Sequence, residues 1–259
     1  KVFLRYDVPA ALLNYASWSI PTFLLAYYFD AVVVGYYALG FTMLRLPMNL
    51  LGKAIGDVFY KKSAIDSNDK SKLRTSSSTV VILLFSFGIL PIAAVYFFGD
   101  VLFSFFFGKE WIEAGRYSQI LSIWTLVWFV SSPISNLYYV LGLQKSFLWF
   151  MIVSLVMRAL SISVGAQFFD PEGTLVLYSI ASLMIYGYQV IFLLGMIDTK
   201  AINFFKNLWI SARFAILPLI AMAILNYLSL GTPIMMSILI PIMGSAMAFR
   251  WFKKPKLIL

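Results

Sequence analysis

Arg45 and Arg158 stand inside long apolar stretches, far from any acid in the sequence. A guanidinium at such depth is expensive to bury and by default faces a bundle interior or a watery cavity. In the stretch that holds Arg45, Asn49, Lys53 and Asp57 follow at intervals of four and share its helical face. Lys53 and Asp57 are spaced to neutralise one another. Arg45 has no such neighbour. Arg158 has none either, and Ser154 and Ser161 flank it at helical spacing. Cations so placed can bind a phosphate or pyrophosphate, or they can pair with helix carbonyls or with an acid from another segment.

A second set of residues is aromatic and amide. Asn14, Ser17, Trp18 and Pro21 share one helical face, and Trp124, Trp128, Ser132 and Asn136 share another, where Pro133 is placed to kink the helix. Tyr178, Ser182, Tyr186 and Gln189 form a weaker version. Indole rings beside amides and hydroxyls suit sugar rings and their hydroxyl groups. The same stripes serve equally well as packing surfaces. Arg116 and Arg213 lie near the ends of apolar stretches, where snorkelling accounts for them.

The chain has no cysteine and no histidine, which removes thiol and imidazole chemistry and nearly all zinc, haem and iron–sulfur ligation. Asp57 is the one carboxylate deep within a stretch. Alone it cannot support a two-carboxylate glycosyl mechanism, and with Lys53 beside it, it is poor material for proton or sodium coupling. The expectation is no catalytic residue, no metal, no cofactor and no enzyme activity.

The elements that must position these residues are membrane helices. Apolar residues make up 61% of the 259 and charged ones 12%, and mean hydropathy is +0.87. The apolar runs are continuous and about 20 residues long, as spanning helices require and as barrel strands do not. Eight spans are expected, at 8–29, 32–60, 79–98, 114–141, 146–169, 174–197, 213–228 and 234–252. The aromatic run 101–107 is too short to cross and reads as an interfacial segment. With eight crossings, one face receives Lys1, Arg5, the Lys61–Arg74 loop, Lys145, Lys200, Lys206 and the lysine-rich tail, while the other receives Asp30, Asp100–Glu113, Asp170 and Glu172. That asymmetry makes the first face cytoplasmic, with both termini there. It also explains the net charge of +9 without nucleic acid. The fold class is therefore an all-α polytopic membrane helix bundle, surrounded by membrane lipids. The chain starts at Lys1 with no signal peptide and enters its first span at once, as a piece of a longer protein would.

The run from Val33 to Tyr60 (VVGYYALGFTMLRLPMNLLGKAIGDVFY) resembles a recurrent stretch of bacterial polysaccharide-biosynthesis membrane proteins. These are the O-antigen and lipid-linked-oligosaccharide flippases of the multidrug/oligosaccharidyl-lipid/polysaccharide exporter superfamily. Phe107–Leu121 and Ser131–Lys145 look similar as well, so the resemblance covers roughly residues 1–200. Where the usual pattern ends the second of these helices with Phe-Pro, this chain has Phe59-Tyr60-Lys61. The resemblance implies a second six-helix lobe at 1–197, then a linker, two extra helices and a basic tail at 198–259. It implies a missing N-terminal lobe as partner, a bacterial or archaeal cytoplasmic membrane, and alternating access for a polyprenyl-pyrophosphate-linked glycan. The pyrophosphate would sit near Arg45 and Arg158, with Asn49 and Lys53 on the same stripe, and sugars against Trp124, Trp128, Asn14 and Asn136. The alternatives are a cation-coupled drug antiporter of the same superfamily, needing an unpaired acid elsewhere, and a membrane-embedded glycan ligase or polymerase.

Overall fold

The computed structural model describes residues 3–199, 206, 208, 209, 213 and 215–227. Their elements are helical: α1 (Val8–Tyr28), α2 (Ala31–Pro47), α3 (Lys53–Ile65), α4 (Lys70–Phe107), α5 (Ile112–Ile134), α6 (Leu137–Val140), α7 (Gln144–Phe168), α8 (Pro171–Met196) and α9 (Ile216–Tyr227). Four helical segments among the described residues are long and apolar enough to cross a membrane: Lys70–Phe107, Lys109–Val140, Gln144–Phe168 and Pro171–Met196. The chain is an all-α, multi-pass membrane bundle. With its 21 residues, α1 spans about 31 Å at 1.5 Å per residue, but Asn14, Ser17, Ser19 and four aromatic rings with polar tips (Tyr15, Trp18, Tyr27 and Tyr28) dilute its hydropathy.

Aspartates start three of the helices. Asp30 Oδ1 accepts from Val33 N at 2.8 Å, Asp69 Oδ1 from Ser71 N and Lys72 N at 3.0 and 3.1 Å, and Asp170 Oδ1 from Gly173 N at 2.8 Å. Pro171 follows Asp170 at the first helical position, where its missing N–H is not needed. Asp170→Ala should therefore lower stability by about 1 kcal/mol. Thermal melts of the solubilised protein would show this as a fall of roughly 2–4 °C.

The structure redraws several of the expected spans. Residues 32–60 form one path, but a π-helical turn at Met48–Gly52 divides it into α2 and α3. The third span lies within the 38-residue α4, whose backbone leaves helical geometry at Phe98 (φ −133°, ψ 22°). The aromatic run 101–107 continues α4 beyond that kink and is not a separate interfacial segment. Its position follows from Gly99, which lets the α4 backbone meet Gly115 of α5 with no side chain between them. The break expected at Pro133 falls just after it, at Ser135 and Asn136. The seventh span appears as α9, packed on α4 through Met222 and Leu225 against Ala93, Ala94 and Phe98. The eighth span and the basic tail lie outside the described residues.

Helices α1, α2, α5, α8 and α7 pack in that cyclic order and close a ring, with α4 outside on α5 and α3 against α5 and α4. Their directions alternate. Lys70 at the start of α4 pairs with Asp198 just after α8 at 3.0 Å, and Asn136 after α5 reaches Gly56 of α3. At the opposite end Trp111 meets Tyr36 of α2, and Gly165 of α7 lies against Thr174 of α8. The alternating helices thus bring Lys61, Lys62, Lys70, Lys72, Arg74 and Lys145 to one end of the bundle. Asp30, Asp170 and Glu172 gather at the other.

Candidate functional site: an aromatic box with two arginines

The middle of the ring is filled with aromatic rings. Trp18 of α1 lies 4.4 Å from Trp128 and 5.8 Å from Phe41, centroid to centroid. Trp124 stacks on Tyr186 at 6.0 Å and on Phe41 at 5.7 Å, and meets Tyr178 edge-on at 5.6 Å. Tyr37 stacks on Phe41 at 5.7 Å. Offset and edge-to-face contacts of this kind contribute about 0.5–1.5 kcal/mol per pair beyond the area they bury. The box is dense.

Arg158 is sealed inside this box at 1% exposure. Its guanidinium lies 4.2 Å from the Trp18 ring centroid and 5.6 Å from that of Tyr186. Nη1 donates to both the carbonyl and the hydroxyl of Ser17 at 3.0 Å, and Nη2 donates to the Tyr186 hydroxyl. The Ser17 carbonyl needs that donor. Four residues on, where an α-helix would supply an N–H, stands Pro21. An unpaired carbonyl in an apolar interior is costly, and a side chain from α7 satisfies it. Arg158 thus fastens α1 to α7 and α8 at the proline.

Arg45 is placed differently. It is only partly covered, lies 5.7 Å from the Trp18 centroid and 5.4 Å from that of Phe41, and its Nε is buried with no hydrogen-bond partner. The ion pairs among the described residues are Lys70–Asp198, Lys72 with Asp66 and Asp69, and Arg116–Glu113. None involves Arg45 or Arg158. Lys53 and Asp57 are both exposed and do not pair. Arg116 donates to Glu113 Oε1 at 2.8 Å near the start of α5 and stays half exposed.

The structure brings Arg45, Arg158, Trp124 and Trp128 together around Trp18. Asn14 joins them, accepting at Oδ1 from Trp18 Nε1 at 3.0 Å. Trp124 is fully enclosed. Asn14, Trp18, Trp128 and Arg45 keep accessible surface and form a contiguous open side of the box. Asn49 in the π-helical turn and Lys53 at the start of α3 are exposed beyond it. Asn136 lies elsewhere, donating Nδ2 to the Gly56 carbonyl at 3.1 Å.

Residues 5–116 match the family model described as polysaccharide biosynthesis protein. Among curated proteins and among solved structures, nothing matches this chain. The matched region carries α1 to α4 and the first turn of α5, and with them Asn14, Trp18, Arg45, Asn49 and Lys53. Arg158, Trp124, Trp128 and Asn136 lie outside it, as does the Ser131–Lys145 run. The similarity to polysaccharide biosynthesis proteins therefore rests on the half of the box that holds the unpaired arginine.

Two contributors escaped notice in the sequence. Tyr37 and Phe41 precede Arg45 at intervals of four, so the stripe of the second stretch begins earlier than its charged members. Ser17 and Pro21 carried a stronger signal, since a proline always frees the carbonyl four residues before it.

Proposed function

We propose that this chain is the second lobe of a transporter that flips a lipid-linked oligosaccharide or polysaccharide precursor across the cytoplasmic membrane by alternating access. Residues 1–197 are the lobe, and 198–259 add a linker and two further helices. The observation that carries this reading is Arg45, a partly open guanidinium on an aromatic floor with no acid beside it. An uncompensated cation at bilayer depth calls for an anionic ligand group, and a polyprenyl-linked pyrophosphate supplies one. Trp18, Trp128 and Asn14 on the same open side are suited to the sugar that follows it. Arg158 belongs to the scaffold beneath.

The centre of the ring is packed with aromatic side chains. A cavity open alternately to two sides then requires a second lobe against the face that carries Asn14, Arg45, Asn49 and Lys53. The basic end of the bundle is cytoplasmic on the positive-inside rule, and both termini lie there if eight spans are present. The reading is of transport, without covalent chemistry.

The test is glycan export by the full-length protein in cells. Arg45→Gln should lower export by about 10- to 100-fold, the worth of a charge-assisted hydrogen bond to an anion. The melting temperature should fall by no more than about 2–4 °C, because Arg45 makes no hydrogen bond in the fold and loses only its contacts with the Trp18 and Phe41 rings. Arg45→Lys should restore part of the activity. Unchanged export in the glutamine variant would overturn the anionic-ligand assignment.

A further inference from the structure

Asp7 stands at the start of α1, where an aspartate ordinarily caps a helix. Unlike Asp30, Asp69 and Asp170, it caps nothing. The reason is local. The π-helical turn Phe3–Asp7 runs straight into α1, so Asp7 is itself helical (φ −77°, ψ −38°). A capping side chain folds back from an extended backbone onto the N–H two or three residues later, and here the residue two later is Pro9, which has no N–H. The carboxylate is left over. Its Oδ1 is buried with no hydrogen-bond partner among the described residues.

Asp7 also lines a cavity of about 590 Å³, together with Val8, Ala11, Leu12, Tyr60, Asn136 and Tyr139. The volume falls within the roughly 300–1,000 Å³ of small-molecule sites. The cavity opens at the basic end of the bundle, where α1 starts, α3 ends and α5 gives way to α6. Asn136 uses its Nδ2 on the Gly56 carbonyl, which leaves Oδ1 as an acceptor.

The chemistry of the lining selects among ligands. A carboxylate and an amide oxygen both accept hydrogen bonds, so the ligand must bring donors. Two phenol rings and the Val8–Ala11–Leu12 patch offer apolar faces. A phosphate is disfavoured by the unpaired carboxylate. A divalent cation needs several oxygen ligands close together, and no cluster of three metal-binding side chains occurs among the described residues. A ring with hydroxyls on its edge and C–H groups on its faces meets every requirement.

We propose that this cavity is a sugar subsite, in which Asp7 and Asn136 accept hydrogen bonds from the hydroxyls of a neutral hexopyranose unit against Tyr60 and Tyr139. The subsite deepens the glycan-transport reading and rests on it for the presence of a glycan. It is separate from Arg45 and holds the uncharged part of the ligand.

The experiment is saturation-transfer difference NMR on the full chain in nanodiscs of phosphatidylethanolamine and phosphatidylglycerol. Glucose, galactose and N-acetylglucosamine are the probes, with tetramethylammonium chloride and sodium chloride as competitors. At least one hexose should receive transfer. Its affinity should fall about three- to tenfold in Asp7→Ala, the worth of a lost hydrogen bond, and less in Asp7→Asn, which keeps an acceptor. Both variants should melt with the wild type, since this carboxylate bonds nothing in the fold. Gly187→Ala, at a position where a Cβ meets nothing within 4 Å and which does not line the cavity, should leave hexose binding unchanged. Absence of transfer to all three sugars, transfer indifferent to Asp7→Ala, or displacement by tetramethylammonium would each overturn the subsite. If hexose binding fails while export still depends on Arg45, the subsite falls and the transport reading stands. If hexoses bind but export ignores Arg45, the pyrophosphate assignment falls instead.

Discussion

Arg158→Met destabilises the protein by about 2 kcal/mol more than it destabilises the Pro21→Ala variant, the penalty for an orphaned buried carbonyl. In the wild type the Ser17 carbonyl accepts from Nη1 of Arg158, and Pro21 supplies no N–H to it. Removing the arginine strands the carbonyl in an apolar ring of helices. In the Pro21→Ala background residue 21 regains its N–H, and the carbonyl returns to an ordinary helical bond. Other consequences of the arginine's loss occur in both backgrounds. These include the relief of burying an unpaired charge and the loss of contact with the Trp18 and Tyr186 rings. The difference between the two backgrounds therefore isolates the carbonyl. Melting curves of the four proteins would show an additional fall of roughly 4–8 °C for Arg158→Met when Pro21 is present. Equal falls in both backgrounds would mean that Arg158 does not fasten α1 through this carbonyl.

The largest structural loss is expected from Gly115→Val. A Cβ at Gly115 would lie 2.6 Å from Asp100 Cα, and one at Gly99 would lie 2.6 Å from the Gly115 carbonyl oxygen. The obstacle is backbone on both sides, so no flexible side chain can move aside. Close approach through small residues is how membrane helices gain packing without a hydrophobic driving force between them. Overpacking of a core typically costs about 1–3 kcal/mol. Here α4 and α5 must separate along their crossing, so the substitution should fall at the upper end. Size-exclusion profiles of a fluorescently tagged protein would show most of Gly115→Val aggregated. Gly187→Ala is the control, since a Cβ there meets nothing within 4 Å. Replacing a helical glycine at such a site gains roughly 0.5–1 kcal/mol. A monodisperse Gly115→Val with an unchanged melt would show that the α4–α5 crossing tolerates separation.

Much of the scaffold was legible because bilayer constraints act on local sequence. Continuous apolar runs of spanning length follow from the need to satisfy every backbone group within its own segment, and the alternation of basic and acidic connections follows from topology. Both are one-dimensional properties. The kink at Phe98 was not legible. It lies where Gly99 meets the Gly115 backbone across a helix interface, which its own segment does not reveal.

The candidate site divides in the same way. Sequence alone determined that this is a multi-pass helical bundle, that its intramembrane charge is mainly cationic, and that Arg45 and Arg158 have no acid nearby in the chain. On those terms the two arginines looked alike. Tertiary structure separated them, because Arg158 finds its partners in Ser17, 141 residues away, and Tyr186, 28 residues away. Arg45 finds rings and no acceptor. It likewise left the carboxylate of Asp7 without a helix to cap, between side chains from α3, α6 and the turn that follows α5. Partners supplied through space are invisible to spacing along the chain, and it is those partners that decide whether a buried charge is scaffold or open to a ligand.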